Sequence, residues 1–152
     1  MAVKVSKREQ IMQNLANRFT AIQGGVNGYT TTWNLVTRKP VPRSSVAMGD
    51  TIGIFDVKET KTQMMQHMLC HLFVTFEFYG VLQIGDEPST LLNNMLLDVQ
   101  RTIRQDIYCS GLSLNIVENR NELDIAGPTD QIVAGTVGVT IHYRHLVDDP
   151  ST

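Results

Sequence analysis

Apolar and polar residues alternate along this chain with two distinct periods, and the switches between them mark the elements. Ser6 followed by Glu9 reads as a capping box. Ile11, Leu15, Phe19 and Ile22, flanked by Met12 and Ala16, then recur at helical spacing. This predicts a helix from Ser6 to about Ile22, stopped by Gly24-Gly25, with Arg8, Gln13 and Arg18 on its solvent face. The β-branched run Thr30–Thr37 predicts a strand. It ends in Arg38-Lys39-Pro40-Val41-Pro42-Arg43, a basic, proline-bounded segment that predicts a protruding loop near residues 38–50. A short strand follows at Thr51-Ile52-Gly53-Ile54-Phe55, and alternation resumes around Glu59-Thr60-Lys61-Thr62.

From His67 to Tyr79 the period is strictly two. Met68, Cys70, Leu72, Val74, Phe76 and Phe78 share one wholly apolar face and should be core. The other face, His67, Leu69, His71, Phe73, Thr75, Glu77 and Tyr79, is mixed. A strand with such an outer face is covered either by a partner or by a helix of its own chain.

Gly85-Asp86-Glu87-Pro88-Ser89 starts a second helix with acidic groups and proline near its first turn. Its apolar stripe is Leu92, Met95, Leu96, Val99, Ile103 and Ile107; Asn93, Asp98, Arg101 and Arg104 form the opposite, solvated face. Leu112, Leu114 and Ile116 predict a strand, Glu118–Glu122 a polar turn, and Leu123-Asp124-Ile125 a continuation of the sheet. Gly127-Pro128-Thr129-Asp130 is a turn. In the last strand Val137, Val139, Ile141 and Tyr143 face the core, while Thr136, Gly138, Thr140, His142 and Arg144 face water or a partner. A short tail, 146–152, follows.

The order is helix, three strands, helix, two or three strands. Most connections are too short for crossover helices, which predicts an α+β fold: a largely antiparallel sheet with both helices on one face. The 152 residues make one domain, large enough to bury roughly two thirds of its unfolded surface. Hydrophobic residues are 42%, charged residues 18% and the net charge is -2, which gives no electrostatic support to a protein whose main task is gripping nucleic acid. Cys70 and Cys109 read as two buried thiols of a reducing compartment. No apolar run is long enough to span a membrane, and the polar N-terminus lacks a signal peptide's apolar core, so the expected place of synthesis and folding is the cytoplasm.

Motifs for catalysis are missing from the pattern. His67 and His71 would bind one metal on a helix, but on a strand they stand about 13 Å apart. His142 and His145 have opposite parity. Gly24-Gly25-Val26-Asn27-Gly28 follows a helix and lacks the Lys-Ser/Thr of a phosphate loop. No Ser or Cys stands in a nucleophile-elbow context. No catalytic residue, metal or cofactor is therefore assigned. The positive clusters are Arg38 to Arg43 and Lys4, Lys7 and Arg8, which a ring of copies would repeat around its axis.

The arrangement resembles the tail terminator (tail completion) proteins of long-tailed bacteriophages. The likeness rests on the first helix from Ser6 to Ile22, the Thr30–Arg38 segment with its Pro40–Arg43 loop, and the long strand through Phe76 and Phe78. It continues through the second helix ending in Asp106-Ile107-Tyr108 and the terminal Val137–His145 running into Asp148-Asp149-Pro150. The resemblance implies a virion subunit, assembled in the host cytoplasm, that forms a homo-hexameric ring on the finished tail tube at the head–tail junction. Such a ring stops tube polymerisation and presents the surface for the head or neck. Its implied partners are other copies, the tail tube protein, a neck or head-completion protein and, in a contractile tail, the sheath protein; DNA only passes through the lumen. Trp33, Leu69, Phe73 and Tyr79 are the candidates for subunit contacts, and Arg38, Lys39 and Arg43 for the tube, neck or lumen surface.

Three rivals remain. A neck or head-completion ring protein would share every surface argument. A small cytoplasmic enzyme or ligand-binding domain would gather His67, His71 or Glu77 in a concave site. A nucleic-acid-binding module would need more basic character than the chain has.

Overall fold

The computed structural model of the chain describes residues 3–41, 46, 49–125 and 131–152. Helix α1 (Lys7–Thr20) begins at Ser6, whose hydroxyl accepts from the Glu9 amide at 3.2 Å. The reciprocal half of the capping box is not made. Glu9 Oε1 instead accepts from Arg38 at 2.6 Å and Gln13 at 3.2 Å, so a long-range ion pair takes the carboxylate that the local cap would use. Ile11, Met12, Leu15 and Phe19 form the buried stripe.

Only Leu35–Thr37 becomes a strand, β1, which corrects the expected run over Thr30–Thr37. The reason lies in the second helix, α2 (Pro88–Arg104). Asp98 Oδ2 accepts from Thr30 N at 3.0 Å, Thr31 N at 2.8 Å and Thr30 Oγ1 at 2.9 Å. A carboxylate thus satisfies amides that a strand would have given to a ladder. The same contact corrects the expected solvated place of Asp98, which is buried.

The remaining strands are β2 (Thr51–Met64), β3 (His67–Val81), β4 (Asn115–Ile125) and β5 (Ile132–Leu146). They form one sheet in the order β1-β2-β3-β5-β4, antiparallel except for the β1–β2 pair. The fold is α+β, with both helices on one face. β2 is a single strand rather than two segments: its register with β3 shifts between Asp56 and Lys58, and the extra residue Val57 resets the parity. The predicted polar turn at Glu118–Glu122 is likewise strand, interrupted by a bulge at Asn119.

The inward row of β3, Cys70, Leu72, Val74, Phe76 and Phe78, lies opposite Tyr143, Ile141, Val139, Val137 and Gly135 of β5. These residues share one core with the stripes of α1 and with Leu92, Met95, Val99 and Ile103 of α2. Gly135 is required by packing: a Cβ there would run into the Phe78 ring that lies over it. Both cysteines are buried free thiols, Cys70 in β3 and Cys109 in the turn after α2. The tail holds the start of α1, through Lys7 N to Pro150 O at 2.8 Å and Lys4 to Asp149 at 2.7 Å. Pro42, Arg43 and the turn at 127–130 lie outside the described residues.

Candidate functional site

The face of the sheet opposite the helices is the candidate site. Register places Leu69, His71, Phe73, Thr75, Glu77 and Tyr79 of β3 on it, beside Arg144, His142, Thr140, Gly138, Thr136 and Ala134 of β5. The sequence left two occupants open for this face; neither α1 nor α2 covers it, since both pack on the other face. Leu69, Phe73 and Tyr79 are all half-buried. Phe73 also carries the Lys58 ammonium 5.3 Å above its ring. At the β1–β2 corner the chain itself closes over the sheet, because Val41 and the Phe55 ring both lie over Gly53.

Two polar features of this face were not legible in the sequence. His71 and His142 are direct cross-strand partners, their rings stacked at 4.4 Å between centroids and 15° between planes. They belong to a row across four strands, Thr60, His71, His142 and Asn115. Burial, with a smaller contribution from His71, lowers the His142 pKa below its ordinary value. Nothing short of strand order pairs residues 71 positions apart. Near one end of the same face the Tyr79 hydroxyl donates to Glu77 at 3.3 Å; burial, then the Glu77 charge, raises the Tyr79 pKa. His67, His71 and Glu77 therefore sit along a strand face and are not gathered in a concavity.

Trp33 requires correction. It is 7% exposed and its ring meets Phe19 edge-on at 6.2 Å, so the chain's own core occupies it and it offers no surface to a neighbour. Arg38 is also engaged within the chain. It pairs with Glu9 at 2.6 Å and Asp56 at 3.5 Å, and Asp56 accepts from Arg8 at 2.6 Å. Burial would raise the Asp56 pKa, but the Arg8 hydrogen bonds and the charges of Arg8 and Arg38 outweigh it and leave the value lowered. Lys39 is exposed, and Arg43 lies outside the described residues.

On the helix side, a cleft of about 360 Å³ is lined by Ser6, Arg8, Glu59, Lys61, Tyr143, His145 and Pro150. The Glu59 carboxylate accepts from Tyr143 at 2.9 Å and pairs with Lys61 at 3.2 Å and Arg8 at 3.6 Å. His145 Nδ1 lies 2.7 Å from Leu146 O, which only accepts, so Nδ1 carries the hydrogen and Nε2 accepts from Lys61 at 3.3 Å. Burial, then Glu59, pushes the Tyr143 pKa far up. Each group in this cluster has a partner of complementary character, which makes it a fastening between α1, β2 and β5.

No family model matches the chain, and none of the curated proteins compared with it does. Among the described residues no helix is long and apolar enough to cross a membrane.

Proposed function

We propose that this chain is a structural subunit that assembles with copies of itself into a hexameric ring capping a phage tail tube, where it ends tube growth and offers the head or neck its attachment surface. The observation that carries this reading is the sheet face that no described helix covers, with Leu69, Phe73 and Tyr79 half-buried on it. An outer face of this kind fits a partner, and aromatic and aliphatic side chains are the groups that dominate interface energy. The fold supports the reading as well: it is the α+β arrangement that the resemblance implies. Lys39 is the exposed candidate for the tube, neck or lumen surface, while Arg38 braces α1 against β2. The net charge of -2 suits a channel that lets DNA pass without holding it.

Light scattering of the purified protein, at several concentrations and with preformed tail tubes, tests the proposal. A six-fold species, alone or only on tubes, supports it. A monomer or dimer indifferent to tubes overturns it. A ring that binds necks or portals and ignores tubes transfers the same architecture to a head-completion protein.

A further inference from the structure

Among the described residues the sheet has a free edge on each side. β1 covers β2 only through the pairs Leu35–Thr51, Val36–Ile52 and Thr37–Gly53, so residues 54–64 of β2 have no ladder partner on that side among the described residues. At the opposite end of the order, β4 pairs with β5 alone among the described residues, and its other edge along Asn115–Ile125 has no described partner. The two free stretches are of similar length. Through the intervening strands they are level with each other between Val137 and His142 of β5.

The edges also match in direction and chemistry. β2 and β5 both run antiparallel to β3, and β4 runs antiparallel to β5. The two edge strands therefore point opposite ways within one copy. When the β4 edge of one copy meets the β2 edge of a copy rotated about an axis along the strands, the new pair is antiparallel. Among the described residues five strand side chains are large, apolar and exposed, and four lie on these edges: Val57 and Met64 on β2, Val117 and Leu123 on β4. Glu118, Arg120, Glu122 and Asp124 leave β4 net acidic, whereas Asp56, Lys58, Glu59 and Lys61 leave the free part of β2 neutral, so the two edges do not carry like net charge.

We infer that neighbouring copies join by β-sheet continuation, the β4 edge of one hydrogen-bonding to residues 54–64 of β2 in the next. This rests on the ring reading above and names the surface that makes the ring. Two different edges on opposite sides of a subunit form a heterologous contact, and repetition of such a contact closes a ring when the rotation fits. Long open edges are otherwise a hazard for uncontrolled pairing, and closure removes them. The bulges at Val57 and Asn119 add local twist, which bends the shared sheet instead of letting it run flat. A neighbour seated on the β2 edge lies next to the outer-face row that starts Lys58, Phe73, so seam and face belong to one contact.

Amide exchange on the wild-type protein, as monomer and as assembled ring, tests this without a substitution. Exchange should slow by about 100-fold or more along 54–64 and 115–125 on assembly, because edge amides become ladder amides that open only with the ring. A ring whose edge amides exchange as in the monomer overturns edge pairing and leaves the ring reading standing. A protein that stays monomeric with and without tubes overturns both. A mixing experiment separates the two edges: Thr60→Pro on β2 and Glu122→Pro on β4, each first shown to melt cooperatively. Alone, each should lose the ring; mixed one to one they should give a dimer that grows no further, from one intact β4 edge and one intact β2 edge. Dimers of Thr60→Pro alone would overturn the head-to-tail pairing in favour of a symmetric β4–β4 contact.

Discussion

The imidazoles of His71 and His142 stack face to face across β3 and β5, 4.4 Å between centroids, on the sheet face that no described helix covers. Stacking at that distance suits neutral rings, and two imidazolium ions would repel. The other members of the row, Thr60 and Asn115, carry no charge to compensate; Lys58 and Arg144 on the same face add positive charge. The His142 pKa is lowered in the folded chain, by burial first and His71 second. The unfolded chain therefore takes up the proton at higher pH than the folded one. Stability contributed by this group is complete above about 6.5, the unperturbed histidine value, and is lost as pH falls through the lowered value. Urea midpoints measured from pH 8 to pH 5 should fall in the wild type and fall less in His142→Gln. An equal fall in both would show that the pair carries no linked stability.

Phe73 is the central apolar side chain of the proposed contact surface, half-buried beneath Lys58. Phe73→Glu should abolish the oligomer while the monomer melts within a few degrees of wild type, since no core group moves. The check is the mass by light scattering beside a thermal melt. An unchanged oligomer removes Phe73 from the contact.

Asp98 ties the Thr30–Thr31 backbone to α2 through three hydrogen bonds to one carboxylate oxygen. Asp98→Ala strips a buried acceptor from two amides and a hydroxyl, at a cost of about 3 kcal/mol. Chemical denaturation should show that loss, and the Thr30 and Thr31 amides should exchange faster than the β3 amides. A loss below about 0.5 kcal/mol would mean that water replaces the carboxylate without strain.

Gly135 lies under the ring of its cross-strand partner Phe78, deep in the core. Gly135→Ala places a methyl group where the ring sits, and overpacking of this kind costs about 1–3 kcal/mol. The double variant Gly135→Ala/Phe78→Leu should recover part of the loss, because the clash is specific to the ring. Purely additive losses in the double-mutant cycle would place the strain elsewhere.

Much of the fold was legible because each element buries a complete face. The α1 stripe, the strict alternation of β3 and the inward row Val137, Val139, Ile141 and Tyr143 are local patterns whose period alone fixes the element and its buried side. Where local pattern failed, a distant group had intervened. Thr30–Asn34 reads as strand, but Asp98 takes the Thr30 and Thr31 amides. β2 reads as two strands because Val57 resets the parity, and the Glu118–Glu122 segment reads as a turn because polar side chains suit an edge strand with a bulge as well as they suit a loop. Asp98 looked solvated by its place on the helix wheel, yet its partners came from 67 and 68 residues away.

Local pattern was enough to establish which apolar residues of α1, α2, β3 and β5 pack on the core, the α+β class, and the mixed character of the outward β3 face, since burial of apolar surface acts through local periodicity; it did not find the buried polar Asp98. Only the folded arrangement settled that this face has no described helix over it, that Trp33 belongs to the core, that Arg38 is spent on Glu9 and Asp56, and that His71 meets His142. It also settled which strands stand at the edges, with 54–64 and 115–125 left without a ladder partner on their outer sides among the described residues. Strand order and long-range pairing depend on contacts between residues far apart in the chain, and no local period carries that information.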